Sequence, residues 1–362
     1  MPLGPSPTEL LNRARADLRM GVPVLLCAGG RAALAAAAEN LSSERQAALA
    51  AEGPLVLAIT ARRAETLKAR AYDGDLARVA VPAGAGADWL RNVADPADDL
   101  DMPMKGPLAT LRDGEAGLAR AALALAKSAR LLPAAVLVDV AEGPALAAAR
   151  GLTAIDLDTA GPALSADPAL HPVAAARLPM AAAGAGRLHV FRPGDGGEEH
   201  YAILVGRPDP GGAVLTRLHS ACFTGDVLGS LKCDCGAQLD AALRQMGAEG
   251  AGVLLYLNQE GRGIGLANKM RAYRLQDQGF DTVEANHRLG FEDDERDFRI
   301  GAAILKELGI GAVRLMTNNP AKVAMMRAQG IAVAERVPLA VGATDQNAAY
   351  LATKAAKSGH LL

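Results

Sequence analysis

The sequence predicts a two-domain protein of the α/β to α+β class. Three observations carry that expectation. The chain has 362 residues, more than one ordinary hydrophobic core organises. Short apolar stretches alternate with alanine-rich helical ones, and the character of the chain changes near residue 165. Half the residues are hydrophobic but only 3% are aromatic, so the cores must be built from Ala, Val and Leu.

Charge and leader features narrow the function classes. A formal net charge of −2 points to neither a nucleic-acid nor a membrane partner. The opening "MPLGPSPTELLNRARADLRMG" has no long apolar run and no cleavage-like pattern. No stretch approaches the roughly 20 apolar residues of a bilayer span. Cytoplasmic residence is expected, and reducing conditions there disfavour a disulfide framework.

In the first domain, expected over 1–165, the strands are "VPVLLC" (22–27), "PLVLAIT" (54–60) and "AAVLVDV" (134–140). "EAGLARAALALAKSARL" (115–131) reads as an amphipathic helix feeding the last of them. Residues 161–185 are rich in Pro, Ala and Gly, which places a linker at 166–184 and a second domain at 185–362. That domain opens with "RLHVFRP" and "EEHYAILVGRP", an antiparallel pair around the turn "GDGG". The strand "AVLTRLHS", a helix near 237–248 and the strand "GVLLYLN" follow. Helices over 266–278 and 294–308 lead to the strand "AVRLMT". "TNNPAKV" then reads as a strand end, an Asn at a helix start and a Pro in the first turn.

All six histidines lie at or beyond His171, so the first 170 residues hold Cys27 and no imidazole. The other three cysteines, Cys222, Cys233 and Cys235, are spaced C-x10-C-x-C. Thiolates in a turn are strong zinc ligands, and three of them leave a fourth tetrahedral position for water, the pattern of a catalytic site. Zinc brings the pKa of such a water to about 7. Spacing alone leaves two alternatives open: a closed structural site completed by another ligand such as His219, and inert buried thiols.

The surrounding text adds a resemblance. "RLHSACFTGDVLGSLKCDCGAQL", "YLNQEGRGIGLANKMRAYRLQDQG", "DTVEANHRLGFEDDERDF" and "LMTNNPAKV" together resemble GTP cyclohydrolase II, from about residue 185 to the terminal "GHLL". The resemblance implies a mixed sheet with flanking helices. It also implies hydrolysis of GTP to 2,5-diamino-6-(5-phospho-ribosylamino)pyrimidin-4(3H)-one, with release of formate and pyrophosphate, as the first step of riboflavin biosynthesis. One Zn2+ per subunit, Mg2+ with the GTP phosphates and a homodimer come with it.

Carried onto this chain, the resemblance makes Cys222, Cys233 and Cys235 the zinc ligands, and their water attacks C8 of the guanine. Asp294 matches a proposed general base. Arg296 matches a proposed nucleophile toward the α-phosphate, although a guanidinium is better suited to clamping phosphate oxygens. Tyr273 matches a tyrosine of the hydrolytic steps. Arg217, Leu218, His219, Ser220, Ala221, Gln238, Glu260, Gly261, Arg262, Thr282, Thr317 and Lys322 fall on GTP-contacting positions. Without the resemblance, "FEDDERDF" reads as a charged helix N-terminus. The chain departs from the family in having Ala221 where Glu is common and Asn258 where Arg is common.

Residues 10–140 resemble a degraded copy of 3,4-dihydroxy-2-butanone 4-phosphate synthase, through "MGVPVLL", "LAAAAENLSSERQAAL", "GPLVLAITARRAETL" and "GEAGLARAALALAKSARLLPAAVLVDV". That synthase uses an acidic metal loop and histidines. Here Leu18 to Ala38 contains no Asp or Glu, and Mg2+ needs oxygen ligands. A catalytically inactive domain is expected. The alternative for the whole chain is a zinc-containing GTP-binding or regulatory paralogue with lost or altered turnover, while the missing loop disfavours a bifunctional enzyme.

Overall fold

A computed structural model describes residues 3–164, 166, 169–344, 346–347, 359 and 361. Of the terminal "GHLL", only Gly359 and Leu361 are among them. The chain forms two compact units, Met1–Ala166 with Ala267–Glu295, and Asp167–Leu266 with Arg296–Leu362. Residues 267–295, which the sequence places in a continuous second domain, thus group with the first half.

The first half runs α1 (Pro7–Arg19), β1 (Val24–Ala28), β2 (Arg31–Ala37), α2 (Ser43–Glu52), β3 (Val56–Thr60), α3 (Ala61–Thr66), β4 (Leu76–Ala80), α4 (Ala87–Ala94), α5 (Gly117–Ser128), β5 (Ala134–Asp139), α6 (Gly143–Arg150), β6 (Ala154–Asp156) and α7 (Leu157–Ala160). The second half runs β7 (Leu170–Met180), β8 (Gly184–Pro193), β9 (His200–Gly206), β10 (Val214–Ser220), α8 (Cys235–Glu249), β11 (Ala251–Leu257), α9 (Leu266–Asp277), α10 (Thr282–Leu289), α11 (Arg299–Glu307), β12 (Ala312–Met316), α12 (Pro320–Ala328) and β13 (Ala332–Val337). No helix among the described residues is long and apolar enough to cross a membrane.

Each unit is built on a mixed sheet flanked by helices. The first has strand order β4-β3-β5-β2-β1-β6, antiparallel except where β1 meets β6. The stretch noted for lacking the acids of a metal loop includes β2. Gly29 and Gly30, at φ +54° and +77°, form the two-residue turn that pairs Ala28 with Arg31. Consecutive alanines read as helical by propensity, yet the turn commits them to the sheet and they fill its core beside Leu26, Leu118 and Leu125.

The second sheet has order β13-β12-β10-β11-β9-β8-β7. Its β13, β12, β10 and β11 are parallel neighbours, and the remaining pairings are antiparallel. Residues read as linker form β7, an edge strand exposed along most of its length. Pairing with β8 satisfies a backbone whose side chains bury almost nothing. Alternation along β11 sends Val253, Leu255 and Leu257 to one core and Leu254 to the other, where Ala242 and Met246 of α8 pack.

The helix expected at 294–308 begins only at Arg299. Residues 291–297 are irregular, because Asp297 turns back to accept from Arg299 N at 3.0 Å. α10, absent from the sequence reading, is closed by a capping box between Asp281 and Glu284. α12 starts as read, with Asn319 Oδ1 accepting from Ala321 N at 2.9 Å and Pro320 at its first position.

Arg63 of α3 is the most deeply buried charged residue among the first unit's described residues, with its side chain 1% exposed. Its Nε donates to Val93 O at 2.8 Å and its Nη2 to Asp99 Oδ1 at 2.9 Å, while Lys105 Nζ also donates to Asp99. Burial pushes the Asp99 carboxyl up, but Arg63 and then Lys105 outweigh it and hold the group below its ordinary value. A carboxylate with a depressed native pKa adds stability that is complete above its unfolded value and is lost as pH falls through the folded one. Replacing Asp99 with Asn is therefore expected to cost about 3 kcal/mol of unfolding free energy at pH 7. Urea denaturation should show that difference shrinking as pH drops below about 3.9.

Candidate functional site

Open parallel sheets bind ligands beyond the carboxyl ends of their strands, where the connecting loops diverge. β12, β10 and β11 are three parallel neighbours, and three of the sequence-identified stretches leave the sheet there. They follow Ser220, Leu257 and Met316.

Past Ser220 the chain makes a single π turn, Phe223–Val227. It brings Cys222 Sγ to 3.7 Å from Cys233 Sγ, and all three sulfurs of Cys222, Cys233 and Cys235 lie within 4.8 Å of one another. Sulfurs held tetrahedrally by one ion at about 2.3 Å stand about 3.8 Å apart, so the spacing fits a thiolate site. Glycine makes this approach possible. A Cβ on Gly225 would lie 2.8 Å from Cys233 Sγ and 3.1 Å from Cys222 Sγ, and one on Gly236 would lie 2.2 Å from Gly225 O.

Hydrogen bonding with Cys222 and Cys233, together with burial, pushes the Cys235 thiol well above the ordinary value. A bound cation reverses that preference, since it stabilises thiolates that otherwise repel. Three soft donors suit a thiophilic divalent ion rather than Mg2+ or Ca2+. Among the described residues no carboxylate or imidazole joins the sulfurs. His219, the sequence alternative for a fourth ligand, points its Nε2 at Asp226 Oδ1 over 3.0 Å instead.

Asp226 organises the turn. Its side chain is 3% exposed, and it accepts from Cys222 N at 3.0 Å and from Tyr256 Oη at 2.9 Å, besides its contact with His219. Burial followed by the Asp226 charge pushes the Tyr256 hydroxyl far above its ordinary value, so it stays a donor. Burial lowers the His219 pKa despite Asp226, which keeps the ring neutral. His219 Nδ1 and Arg217 Nε are buried without a protein hydrogen-bond partner.

Arg217 lies inside β10, with Nη1 donating to Met316 O at 3.0 Å and Nη2 to Gln238 Oε1. Its pKa is pushed down to about 10 by burial, against the opposing pull of Cys235 and Asp234. Gln238 in turn donates to Asp234 at 2.6 Å. Leu218 points into the core, and its carbonyl accepts from Lys322 Nζ at 3.1 Å. Arg296 reaches Ser220 Oγ at 3.4 Å. The Arg296 guanidinium and the Lys322 ammonium stand 4.8 and 4.7 Å from the Phe298 ring centre, so two cations approach the same aromatic ring. Thr317 Oγ1 accepts from Asn319 N at 3.0 Å, at the N-terminus of α12.

After β11, Asn258 N donates to His200 Nδ1 at 3.0 Å. Glu260 turns its carboxylate onto backbone, accepting from Phe223 N at 2.6 Å and from Gly261 N at 2.9 Å. This ties the "QEGRGIGL" loop to the cysteine turn. Gly261 and Arg262 both adopt left-handed backbone, at φ +64° and +61°. The strained Arg262 is one of three non-glycine residues with positive φ among those described. Ala221 contributes its backbone, donating to Leu257 O at 2.8 Å.

The structure thus brings Arg217 to Cys222, Cys233, Cys235, Gln238, Glu260 to Arg262, Arg296, Thr317 and Lys322 into the second unit. Tyr273, Thr282 and Asp294 are carried by the 267–295 segment of the first. There Lys269 Nζ lies 5.6 Å from the Tyr273 ring centre, and Thr282 Oγ1 accepts from Gln276 at 3.1 Å. Asp226, Tyr256, Gly225 and Phe298 escaped the sequence reading. The one available signal was "TGD" at 224–226, one residue beyond Cys222, a small-residue turn with an acceptor.

The family model described as GTP cyclohydrolase II matches residues 171–338. A GTP cyclohydrolase-2 of Azospirillum brasilense is 44% identical over 100% of this chain and 96% of its own. One from Azotobacter vinelandii is 59% identical over 190 residues, 52% of this chain and 91% of that protein. A riboflavin biosynthesis protein of Bacillus cereus is 58% identical over 165 residues, 46% of this chain and 42% of that one.

Gly225→Ala should open the sulfur cluster, since its Cβ has no room between Cys222 and Cys233. Elemental analysis of the purified variant should find less than a tenth of the bound thiophilic metal of the unaltered chain, with its far-ultraviolet dichroism unchanged.

Proposed function

Because the chain belongs to the GTP cyclohydrolase II family of hydrolases, we propose that it converts GTP to 2,5-diamino-6-(5-phospho-ribosylamino)pyrimidin-4(3H)-one, releasing formate and pyrophosphate, for riboflavin biosynthesis. The observation that supports this reading most is the set of three sulfurs within 4.8 Å of each other, in a unit that also places Arg217, Arg296 and Lys322 around the end of β10. A zinc ion held by Cys222, Cys233 and Cys235 would supply a water with a pKa near 7 for attack at C8 of the guanine and for the second hydrolysis that frees formate.

The chain's own groups bind, orient and move protons. Arg296 acts as a fork on phosphate oxygens, since a guanidinium keeps its proton and meets such oxygens in pairs. Lys322, Arg262 and Arg217 add charge for the triphosphate, which carries Mg2+. The N-terminus of α12, capped by Asn319 on Ala321 N, adds the positive end of its dipole near an anion, with Thr317 Oγ1 holding Asn319 N. Asp294 serves as the general base, and Tyr273 orients the attacked ring or water through its hydroxyl. Gln238, Thr282 and the 218–221 backbone complete the GTP contacts. The Glu260 carboxylate holds the loop that presents Arg262. A homodimer belongs to the same proposal.

The first unit is proposed to be a synthase-like domain without turnover. Its β1–β2 hairpin offers neither carboxylate nor imidazole. A cavity of about 270 Å3 in this unit does include Glu52, Glu115 and Asp139. Each meets an arginine, Glu52 with Arg150, and Glu115 and Asp139 with Arg31.

Purified protein incubated with GTP and Mg2+ should release formate and a pyrimidine product. Cys233→Ser should abolish formate release while the first unit stays folded, and Arg296→Lys should lower kcat about a hundredfold. GTP binding with no formate from the unaltered chain would make the protein a nucleotide-binding paralogue instead.

A further inference from the structure

The first unit holds more than its own half of the chain, because residues 267–295 fold onto it. We infer that the first unit is the mount for this segment, and that Glu39, Thr60 and Asp95 are positioning residues for the cyclohydrolase reaction. The inference rests on the proposed function, since the roles of Tyr273, Thr282 and Asp294 fall on the mounted segment.

The anchors occur along the whole segment and differ in kind. At its start, Asn268 is fully buried and donates to Arg130 O at 3.1 Å. Arg271 forks between two acids of the first half, Nε to Asp95 Oδ2 at 2.8 Å and Nη2 to Glu39 Oε1 at 3.0 Å, with Nη1 on Asn268 at 2.8 Å. Arg274 pairs with Asp98, and Gln278 donates to Ala97 O at 3.0 Å. At its end, Thr60 Oγ1 donates to the buried Gly290 O at 2.8 Å. A Cβ on Gly290 would lie 2.8 Å from that hydroxyl and 2.9 Å from Pro133 Cγ, so the Thr60 and Pro133 side chains pack directly onto the bare Gly290 backbone. Arg62 pairs with Glu292 at 2.9 Å and Lys127 with Glu295 at 2.6 Å.

The anchors bracket the residues with chemistry. Tyr273 lies between Arg271 and Arg274, and Asp294 between Glu292 and Glu295. Exposed pairs such as Arg62–Glu292 contribute little. The buried hydrogen bond from Thr60 and the half-buried fork on Arg271 are costly to break, because each leaves a desolvated group without its partner. Removing them should free the segment to open locally while the sheet beneath stays closed. Reacting groups displaced by about 1 Å lose up to a hundredfold in rate.

The test uses the full-length, metal-loaded chain. Glu39→Gln with Asp95→Asn keeps side-chain shape and the backbone contacts of both acids, but discharges the fork. Thr60→Val removes the buried donor, and Thr60→Ser keeps it. Hydrogen exchange read by mass spectrometry should show faster uptake over 267–295 in the double variant and in Thr60→Val, with peptides from β1 and β2 unchanged. kcat for formate release should fall roughly 10- to 100-fold, zinc content should stay constant, and Thr60→Ser should match the unaltered chain in both readouts. Unchanged exchange over 267–295 would refute the anchoring. Faster exchange with full kcat would refute the positioning role alone. An unaltered chain that releases no formate would instead overturn the functional reading, a result recognisable before any variant is made.

Discussion

Beyond Ser220 the chain has to leave the middle of a parallel sheet, with β11 on one side and β12 on the other. It leaves through one tight turn, and the features of the thiol site depend on how tightly that turn closes. Gly225 and Gly236 remove the atoms that would hold the sulfurs apart. Asp226 gathers the backbone of Cys222, the Tyr256 hydroxyl and the His219 ring onto one buried carboxylate. Glu260 then fastens the neighbouring loop to the same turn through Phe223 N. The polar contacts spread outward from a backbone approach that only glycine permits.

The two units solve a shared difficulty differently. An alanine- and leucine-rich core buries little apolar area per residue, so burial alone specifies element positions weakly. In the first unit buried ion pairs add that specificity, with Arg63 reading the carbonyls of Val93 and Asp95 as well as the Asp99 carboxylate. Arg271 does the same for the segment that joins from the other half of the chain. In the second unit, parallel strands with apolar residues on both faces set the framework, and charge gathers at their carboxyl ends.

Much of this was legible in the sequence. Strands β3, β5, β10 and β11 and helices α8, α9 and α12 lie within a few residues of where periodicity, Pro and Gly place them. Cys222, Cys233 and Cys235 were marked by spacing. Arg296, Lys322 and Arg217 needed the family resemblance, because a lone cation in a strand or a charged loop looks like any other. β2 has no strand signal in the sequence, because alanine prefers helix and only its partners in the sheet overrule that preference. Residues 170–180 were misread because Pro and Ala disguise an edge strand as a linker. The 291–297 loop was misread because acids that favour a helix start also cap turns.

By itself the sequence determined that the chain has two α/β-type halves, that three thiols share one short stretch, and that the first half lacks an acidic metal loop. These are properties of composition and spacing, which no folding can alter. Tertiary structure alone decided that His219 faces Asp226 rather than the sulfurs, that Glu260 binds backbone, and that residues 267–295 belong with the first unit. Each of those depends on which donor finds which acceptor once both are buried. The pairing is chosen by distance in space, and residues 60 and 290 or 39 and 271 give no sign along the chain that they will meet.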